Sequence, residues 1–313
     1  MPTCHGSGAV LTPRFPSLRG VLLWACLWPV VAGDVRAEVV VDWSFNQSSG
    51  TVALDSGPNG IDGTLSGSTS WTAGYGQNAV AIGGNGFVDF TQPGFPEVPT
   101  VISQLAQGSI GVRFFVDAFP DDPATQPILP IFWMGRNFGG IGQYGLTIEI
   151  GHGPPYTSTS NRHLYFTIMD GSTPLQCFNT VEEIRAGQWY SFVGSVSATG
   201  NTGYLNGAEM TDRHYNFGDA STTHFFSSVT YPSSALWAGK GFLGDETGAM
   251  HFNGLIQDLR IFDTPLTSQQ VSALYSVPEI DPSGATTAVA LAIGTLAMRG
   301  RPRRGPMAPP SGT

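Results

Sequence analysis

The sequence predicts an all-β protein built as a sandwich of antiparallel sheets, and its composition and patterning carry that prediction. Of 313 residues, 41 are Gly and 23 are Pro, while only 12% are charged, which favours a turn-rich chain over a helical bundle. Hydrophobic residues make up 41% of the chain, enough to build a packed core. Short apolar runs recur between Gly, Pro, Asn, Asp and Ser, and none alternates with a long helical pattern, so parallel βαβ topology is not expected.

Residues 1–37 have the order of features that is typical of a secretory signal peptide. Two arginines precede an apolar run over residues 21–32, which is too short to span a bilayer. Val35 and Ala37 then stand at the −3 and −1 positions of a cleavage site after Ala37, and Gly33 offers a second cleavage position. We therefore expect export, with an uncleaved anchor or a buried strand as the alternative.

Twelve short runs of apolar or alternating residues predict strands. In the first run, Val39, Val41, Trp43 and Phe45 are spaced to share one face of a sheet. In chain order, the predicted strands are 38–45, 79–82, 87–90, 109–116, 128–133, 145–150, 164–169, 189–196, 203–205, 208–210, 236–238 and 254–262. Long Gly- and Pro-rich intervals predict loops at 91–108, 117–127, 135–142, 151–162 and 211–234.

Two local signals fix a turn and a helix. Asn206-Gly207 predicts a two-residue hairpin, because a type I′ turn needs positive φ at both central positions. Thr267 and Gln270 fit a capping box, and apolar residues follow at helical spacing as far as Tyr275. We interpret this segment as an ordinary packing helix at the end of the domain.

Three motifs lie at residues 41–65, 189–207 and 254–275. The first motif contains VDWSF and DSGPNGIDGTL. The second is a strand that begins with a Trp and leads into YLNG. The third is GLIQDLRIFDTPLT followed by QQVSALY. In this order they resemble the opening strand and loop, the Asn-Gly hairpin, and the closing strand and helix of LamG-like domains of the concanavalin A type. The resemblance implies a two-sheet antiparallel jelly-roll sandwich over residues 38–276, with one short C-terminal helix. Folds of this type include lectins and glucanases, so the fold does not decide the function.

Catalysis is not expected, because no carboxylate pair has the required spacing along a strand. A retaining glycosidase needs an acid/base and a nucleophile about 5–5.5 Å apart. Glu149 has no acidic partner two positions later, and Glu182 and Glu183 are adjacent, so strand geometry would place them on opposite faces. Carboxylates that face each other across paired strands stay open, with Asp170 and Asp258 as candidates. The histidines show no metal-ligand spacing.

A structural calcium ion is the one candidate cofactor. Asp55, Asn59 and Asp62 lie in a Gly-rich loop and carry the oxygen atoms that calcium prefers as ligands. The alternative is an Asx-type turn, in which the same side chains bond to their own backbone. In relatives of the resembled fold an Asp on the closing strand helps to hold calcium, and the matching position here is Gln257, followed by Asp258.

Glycan binding would require aromatic side chains exposed in loops. The aromatic candidates are Phe138, Tyr144, Tyr156, Phe225, Phe226 and Trp237. The predicted ligand-binding residues among them are Phe138, Tyr144 and Tyr156. Core or loop packing is the alternative for each of the six.

Charge and cysteine content exclude several partner classes. Residues 38–282 contain 7 basic and 22 acidic residues, a net charge of −15, which argues against nucleic acids and anionic membrane surfaces as partners. Cys177 is the one Cys outside the predicted signal peptide. Neither an intramolecular disulfide nor a Cys-based zinc site is therefore expected in the domain.

Residues 277–313 combine a VPEIDPSG motif, an uncharged apolar run over 285–298, and an arginine cluster. The motif and cluster residues are Val277, Pro278, Glu279, Arg301, Arg303 and Arg304. This order resembles the PEP-CTERM sorting signal of Gram-negative bacteria. The resemblance implies an exosortase-type processing enzyme as a partner and transient membrane association through the apolar C-terminal helix.

Together these features predict an exported, surface- or matrix-associated protein of a Gram-negative bacterium. We expect non-catalytic recognition of an extracellular polysaccharide or a surface protein. The alternatives are a divergent glycan-active hydrolase or lyase, and a purely structural matrix component.

Overall fold

The computed structural model describes residues 37–93, 97–121, 126, 128–135, 145–151, 162–171, 173–230, 233–242 and 249–276. These residues are 49% strand and 7% helix, and the antiparallel sheets form a sandwich. The all-β, jelly-roll prediction is therefore confirmed. Residues 1–36 of the predicted signal peptide and the predicted sorting tail from Val277 onward lie outside the described residues, and the domain limits stay a prediction.

The first strands are β1 (Val39–Trp43), β2 (Val52–Ala53), β3 (Gly63–Ser66), β4 (Thr69–Ala73), β5 (Asn78–Ile82), β6 (Phe87–Asp89), β7 (Gly108–Val116), β8 (Ile128–Gly135), β9 (Gly145–Gly151) and β10 (Leu164–Asp170). The later ones are β11 (Thr173–Asn179), β12 (Trp189–Ser197), β13 (Gly200–Leu205), β14 (Ala208–Glu209), β15 (His214–Phe217), β16 (Ala235–Ala238), β17 (Lys240–Gly241), β18 (Met250–His251) and β19 (Gly254–Phe262). The helices are α1 (Thr100–Ser103) and α2 (Ser268–Tyr275), with a 3₁₀ turn at Phe226–Ser228.

Two large sheets build the sandwich. The eight-stranded sheet has the order β14-β13-β12-β7-β19-β5-β4, and β1 also pairs with β19. The nine-stranded sheet has the order β15-β11-β10-β9-β8-β16-β6-β3-β2. The pairing of β1 with β19 brings the two ends of the domain together, so the first and the last of the three motifs that carried the family resemblance meet in one sheet.

The main core fills the space between the two sheets. Ile110, Phe114 and Ile256 contribute from the eight-stranded sheet, while Ile148 and Phe166 contribute from the nine-stranded sheet. All are fully removed from solvent. Burial of this apolar surface is the main stabilising contribution, because the domain has a free cysteine and no disulfide among its described residues.

Helix α2 covers the outer surface of the eight-stranded sheet. Val271 and Tyr275 pack in a second apolar cluster with Val193 and Phe262. The predicted capping box is present, because the Thr267 side chain accepts a hydrogen bond from the Gln270 amide and the Gln270 side chain bonds back to the Thr267 amide. The helix prediction is confirmed.

All twelve predicted strands overlap strands of the structure. The hairpin at Asn206-Gly207 is also confirmed, with φ of 52° and 83° at its two residues. Seven strands were not predicted: β2, β3, β4, β11, β15, β17 and β18. The intervals 91–108 and 211–234, predicted as loops, contain α1 and β15 respectively.

The prediction that Val39 shares a face with Val41, Trp43 and Phe45 is wrong. A register shift in the β1–β19 pairing falls between Val39 and Val41. Val40 therefore joins Val41, Trp43 and Phe45 in the main core, while Val39 packs against the α2 cluster. A bulge of this kind reverses the alternation locally.

Among the described residues, no helix is long and apolar enough to cross a membrane.

Candidate functional site

The face of the nine-stranded sheet that points away from the core carries a row of paired polar and aromatic residues. Asp89 on β6 pairs with Trp237 on β16, which pairs with Trp133 on β8. Trp133 pairs with Thr147 on β9, and Thr147 pairs with Thr167 on β10. Because paired residues in an antiparallel ladder lie on the same face, these five positions define what we call the outer row.

An aromatic cluster covers one end of the outer row. Trp133 and Trp237 are almost fully buried, and Phe87 and Phe242 pack against them. The Lys240 Nζ lies 4.2 Å from the ring centroids of both Phe87 and Trp237. Burial lowers the pKa of this ammonium, and the Asp89 carboxylate opposes that shift. The cluster therefore holds one cation against the rings.

Beside the aromatic cluster lies an open cleft of about 440 Å³. Its lining residues are Asp89, Thr91, Gln92, Pro93, Glu97, Ser234 and Trp237. We refer to it as the Asp89 cleft. The cleft lies where β6 ends and the following loop begins, and β16 forms one of its sides.

Hydrogen bonds hold the polar lining in place. The Thr91 amide donates to the Asp89 Oδ1 at 2.9 Å, and the Thr91 Oγ1 accepts from the Leu236 amide at 3.3 Å. The Gln92 amide donates to the Glu97 carbonyl oxygen at 2.8 Å. The Gln92 Nε2 donates to the carbonyl oxygen of Phe90 at 3.0 Å. The loop is thus anchored to the strand that carries Asp89.

Three neighbouring positions of the outer row hold buried polar atoms that have no hydrogen-bond partner among the described residues. They are the Nε1 atoms of Trp133 and Trp237 and the Oγ1 of Thr147. Each of the two tryptophans exposes only 3% of its surface. A buried donor left unpaired costs about 1–3 kcal/mol, so a row of three is unusual and marks this part of the sheet as a candidate site.

The Asp89 cleft brings together two carboxylates that sequence reasoning did not pair. Asp89 closes β6, and Glu97 follows in the next loop. Neither residue stood near another acid at strand spacing, so nothing in the sequence indicated that they would share a cleft. Trp237 was one of the aromatic candidates, and the structure places it in the same lining.

The other acidic candidates lie elsewhere. Glu149 lies on β9, where it pairs with Tyr165, and is 3% exposed. Glu182 and Glu183 lie in an exposed connection rather than on a strand. The Asp170 carboxylate accepts hydrogen bonds from the Thr230 amide and hydroxyl.

The carboxylates of the predicted calcium loop accept hydrogen bonds from backbone amides. The Asp55 Oδ1 accepts the amides of Asp42 and Gly57 at 2.8 and 2.7 Å, and the Asp55 Oδ2 accepts the Ile61 amide at 2.9 Å. The Asp62 Oδ1 accepts the Asp55 amide at 2.8 Å. The bond from Gly57 to Asp55 is the Asx-type turn that was the alternative.

The Asn59 side chain takes part in the same anchoring. Its Nδ2 donates to the Val40 carbonyl oxygen at 2.7 Å, which ties the loop to β1. Together with the Asx turn, this bond gives all three loop candidates a structural partner. The calcium hypothesis nevertheless stays a prediction, and among the described residues no cluster of three or more His, Cys, Asp or Glu could hold a metal ion.

Asp258 is the centre of a buried ionic network. It is 3% exposed and sits at a register shift of β19 with a φ of 53°. Its Oδ2 lies 2.6 Å from Arg113 Nη1, and its Oδ1 lies 3.0 Å from Arg260 Nη2. Two guanidinium groups therefore occupy the surroundings where a calcium ion would need further oxygens.

The network continues to β1 and α2. Arg260 Nε donates to Asp42 Oδ1 at 2.8 Å, and Tyr275 Oη donates to the Asp258 carbonyl oxygen at 3.2 Å. Burial raises the pKa of Tyr275, and the Arg260 charge opposes that shift. Burial by itself would lower the pKa of Arg260. The electrostatic interactions with Tyr275, Asp258 and Asp42 are larger together and raise the pKa of Arg260.

Gln257, the closing-strand position for calcium, serves a structural purpose as well. Its Oε1 accepts the Tyr75 amide at 2.9 Å, and its Nε2 donates to the Tyr75 carbonyl oxygen at 3.0 Å. This pair of bonds fixes the turn between β4 and β5 against the closing strand.

The three predicted ligand-binding aromatics, Phe138, Tyr144 and Tyr156, lie outside the described residues. Phe225 and Phe226 are fully buried in the main core, so packing is the correct interpretation for both. Cys177 is buried and free, and burial raises the pKa of its thiol to about 11.

One family model matches part of the chain. A family model, Laminin_G_3, described as the concanavalin A-like lectin/glucanases superfamily, matches residues 133–272. Trp237 lies inside the matched segment, whereas Asp89 and Glu97 precede it. No curated protein matches the chain.

Several solved structures are similar to the chain at low sequence identity. Domain 4 of AbnA, a GH43 extracellular arabinanase from Geobacillus stearothermophilus in complex with arabinotriose, has a TM-score of 0.49 and 20% identity, with coverage of 77% of this chain and 99% of that one. The CBM40 of the Ruminococcus gnavus IT-sialidase, bound to α2,3-sialyllactose, has a TM-score of 0.48 and 15% identity, over 63% of this chain and 96% of that one. A mutant Trypanosoma rangeli sialidase with trans-sialidase activity has a TM-score of 0.49 and 11% identity, over 76% of this chain and 34% of that one. The present chain thus spans about a third of that sialidase.

Proposed function

We propose that this protein is an exported, non-catalytic glycan-binding protein of the cell surface or extracellular matrix, and that the Asp89 cleft is its binding site. The observation that carries the proposal is the composition of that cleft. Asp89, Gln92 and Glu97 supply polar groups, and Trp237, which is 3% exposed, contributes a small part of its side chain to the lining. A concave site with a few placed polar groups is the usual form of a small-ligand site.

The chemistry of the cleft suits a saccharide. Sugar hydroxyls are donors and acceptors at once, and carboxylate and amide side chains offer complementary atoms. The negative charge of the domain supports a partner that is neutral or positively charged over one that is strongly anionic.

A glycan array with the purified protein tests the proposal, followed by titration of the best binder against cleft variants. Asp89→Asn and Glu97→Gln remove one charge each and keep the shape of the side chain. We expect each variant to weaken binding about tenfold, because a hydrogen bond to a charged group contributes about 1.5–3 kcal/mol. The matched controls are Asp212→Asn and Glu183→Gln, which change exposed acids outside the cleft. Equal binding by the cleft variants and the control variants would show that the cleft is not the binding site.

One observation favours a second candidate function, glycoside hydrolysis. Asp89 and Glu97 line the same cleft, and a glycosidase uses a pair of carboxylates for catalysis. Incubation with neutral β-glucans and measurement of reducing ends separates the two functions. Our proposal expects no turnover. Sustained turnover that is lost in Glu97→Gln and retained in Glu183→Gln would replace binding with hydrolysis.

We further propose that the tail beginning at Val277 directs the protein to the cell surface through an exosortase-type enzyme. The order of motif, apolar run and arginine cluster supports this role. Deletion of residues 277–313 should leave the domain folded and release the protein into the medium. Fractionation of cells that produce the full and the truncated chain measures the effect, and equal surface retention would contradict the proposal.

Calcium stays a separate proposal with its own test. If the loop around Asn59 holds an ion, addition of calcium after chelation should raise the melting temperature, and Asp62→Asn should abolish that rise. An identical melting temperature with calcium and with chelator would leave the Asx turn as the whole explanation of the loop.

A further inference from the structure

Helix α2 runs along the outward side of strand β7. The outward-facing residues of β7 alternate with core residues and are, in chain order, Ser109, Gly111, Arg113 and Phe115. The Leu266 amide, just before α2, donates to Ser109 Oγ at 2.8 Å, and the Tyr275 ring lies over Gly111. Near the end of the helix, the Leu274 carbonyl oxygen accepts a hydrogen bond from Arg113 Nη2 at 2.7 Å. The helix therefore advances along the strand toward Phe115.

Phe115 belongs to a group of partly exposed apolar side chains on this face, which we call the Trp189 platform. Its members are Tyr75, Phe115, Trp189 and Leu255. Phe115 pairs with Trp189 on β12 and with Leu255 on β19. The ring centroids of Phe115 and Trp189 are 5.6 Å apart, and those of Trp189 and Tyr75 are 6.1 Å apart. Because paired residues share a face of the sheet, the platform is one continuous apolar surface, and such a surface usually marks a contact site.

The described part of the domain ends beside this platform. The Tyr275 carbonyl oxygen accepts a hydrogen bond from Ser191 Oγ, and Ser276 follows α2 in an extended conformation, with φ of −60° and ψ of 131°. Ser191 and Trp189 are alternate residues of β12, so they share a face about 7 Å apart. Two extended residues span about 7 Å. The first residues after Ser276 are therefore long enough to reach Trp189.

We propose that the Trp189 platform binds residues 277–280, which directly follow the described domain, and so holds the Pro-Glu motif against the folded protein. Val277, Pro278 and Ile280 are apolar and match an apolar surface. A proline disfavours the helical conformation in the residue before it, which suits an extended path, and extended proline-containing segments bind aromatic-lined grooves. The covalent tether keeps the segment at a high effective concentration, so a weak contact is enough to hold it.

Docking of this segment would regulate any enzyme that acts at the Pro-Glu motif. The enzyme would compete with the platform for residues 277–280, and the folded domain would slow the reaction. This regulatory meaning rests on the sorting role proposed for the tail, whereas the contact between segment and platform does not. The two proposals can therefore fail separately.

Proteolysis of the full mature chain by a glutamate-specific endoprotease tests the contact. Cleavage after Glu279 requires the segment to leave the platform, so its rate follows the unbound fraction. Trp189→Ala should raise this rate about tenfold. The control Phe217→Ala removes an aromatic side chain of the other sheet that is 50% exposed, and it should leave the rate unchanged. Cleavage after the exposed Glu183 in the same chain reports any loss of the fold.

A second measurement decides the question if Trp189→Ala does not fold. The double substitution Val277→Ser and Ile280→Ser changes only the segment that follows the domain. Hydroxyl-radical labelling of Trp189 should then rise about twofold, because the unbound fraction increases. The matched control, Val289→Ser with Leu291→Ser, changes apolar residues further along the tail and should leave the labelling unchanged.

The outcomes separate this inference from its alternatives. Equal cleavage after Glu279 in the parent chain and in a folded Trp189→Ala variant overturns the inference, as does unchanged labelling of Trp189 in the double variant. Labelling of Trp189 that falls with protein concentration assigns the platform to a second copy of the chain, and labelling that falls only when a glycan is added assigns it to that glycan. Either result overturns the inference. Docking together with equal surface retention of the full and truncated chains contradicts the sorting proposal alone.

Discussion

Replacing Asp258 with Asn is expected to destabilise the domain by about 3 kcal/mol, because the substitution removes the buried charge that two partly buried arginines share. The Asp258 carboxylate lies 2.6 Å from Arg113 Nη1 and 3.0 Å from Arg260 Nη2. The Asp258 side chain is 4% exposed, and those of Arg113 and Arg260 are 14% and 18% exposed. Asn keeps the shape of the side chain and tolerates the left-handed φ of 53° at this position. The substitution therefore isolates the effect of charge.

The magnitude follows from the environment of the two ion pairs. At an effective dielectric constant of about 20, two unit charges about 4 Å apart attract by about 4 kcal/mol, and desolvation opposes much of that attraction. Removal of one partner from a buried pair costs about 3–5 kcal/mol, since the remaining charge is left uncompensated. Arg260 retains Asp42 and Arg113 retains the Leu274 carbonyl oxygen as partners, so we expect the lower end of this range.

Urea denaturation followed by tryptophan fluorescence measures the change, with Asp212→Asn as the control for loss of an exposed charge. In a domain of this size each kcal/mol shifts the melting temperature by about 2–4 °C, so a fall of about 6–12 °C is expected for Asp258→Asn. Asp258→Ala should cost more, because Ala adds backbone strain at positive φ. A change in the free energy of unfolding no larger than that of the control would show that the network does not stabilise the fold.

Three further changes test the packing described above. Gly111→Ala should cost about 1–3 kcal/mol, since its Cβ would lie 2.5 Å from the Tyr275 ring. A Tyr275→Leu background should reduce that cost in denaturation experiments, and an undiminished cost would refute the clash. Replacement of Asn206-Gly207 by Val-Val should destabilise the domain by about 2–4 kcal/mol, because both positions have positive φ; an unchanged melting curve would contradict the turn assignment. Cys177 should not react with a thiol reagent at pH 8 in the folded protein, because burial raises the pKa of its thiol to about 11, and it should react once urea unfolds the domain. Rapid labelling of the native protein would show that the thiol is accessible.

Local signals in the sequence were sufficient for the elements whose residues alternate or carry specific turn chemistry. The strand 254–262 was predicted at its observed bounds. Its apolar pattern and its flanking turn signals are contained in the segment itself. The same holds for the Asn206-Gly207 turn and for the Thr267 cap, where one or two residues satisfy a local geometric requirement.

The strands that the sequence did not predict depend on pairing with other strands rather than on an apolar alternation of their own. Strand β11 contains a proline at position 174 and the polar residue Gln176, and it exists because β10 and β15 pair with its two edges. Strand β15 is four residues long and mostly exposed, so it has no apolar alternation of its own. Pairing supplied by neighbours compensates for weak local propensity.

What the sequence by itself determined was the fold class, most of the strands, and the residue types available for a site. Only the tertiary structure decided which of those residues meet. The bulge that turns Asp258 between two arginines and the register that aligns Asp89, Trp237 and Trp133 both depend on long-range pairing. Because a shift of one residue moves a side chain to the opposite face of a sheet, no local pattern could place Asp89, Glu97 and Trp237 around one cleft.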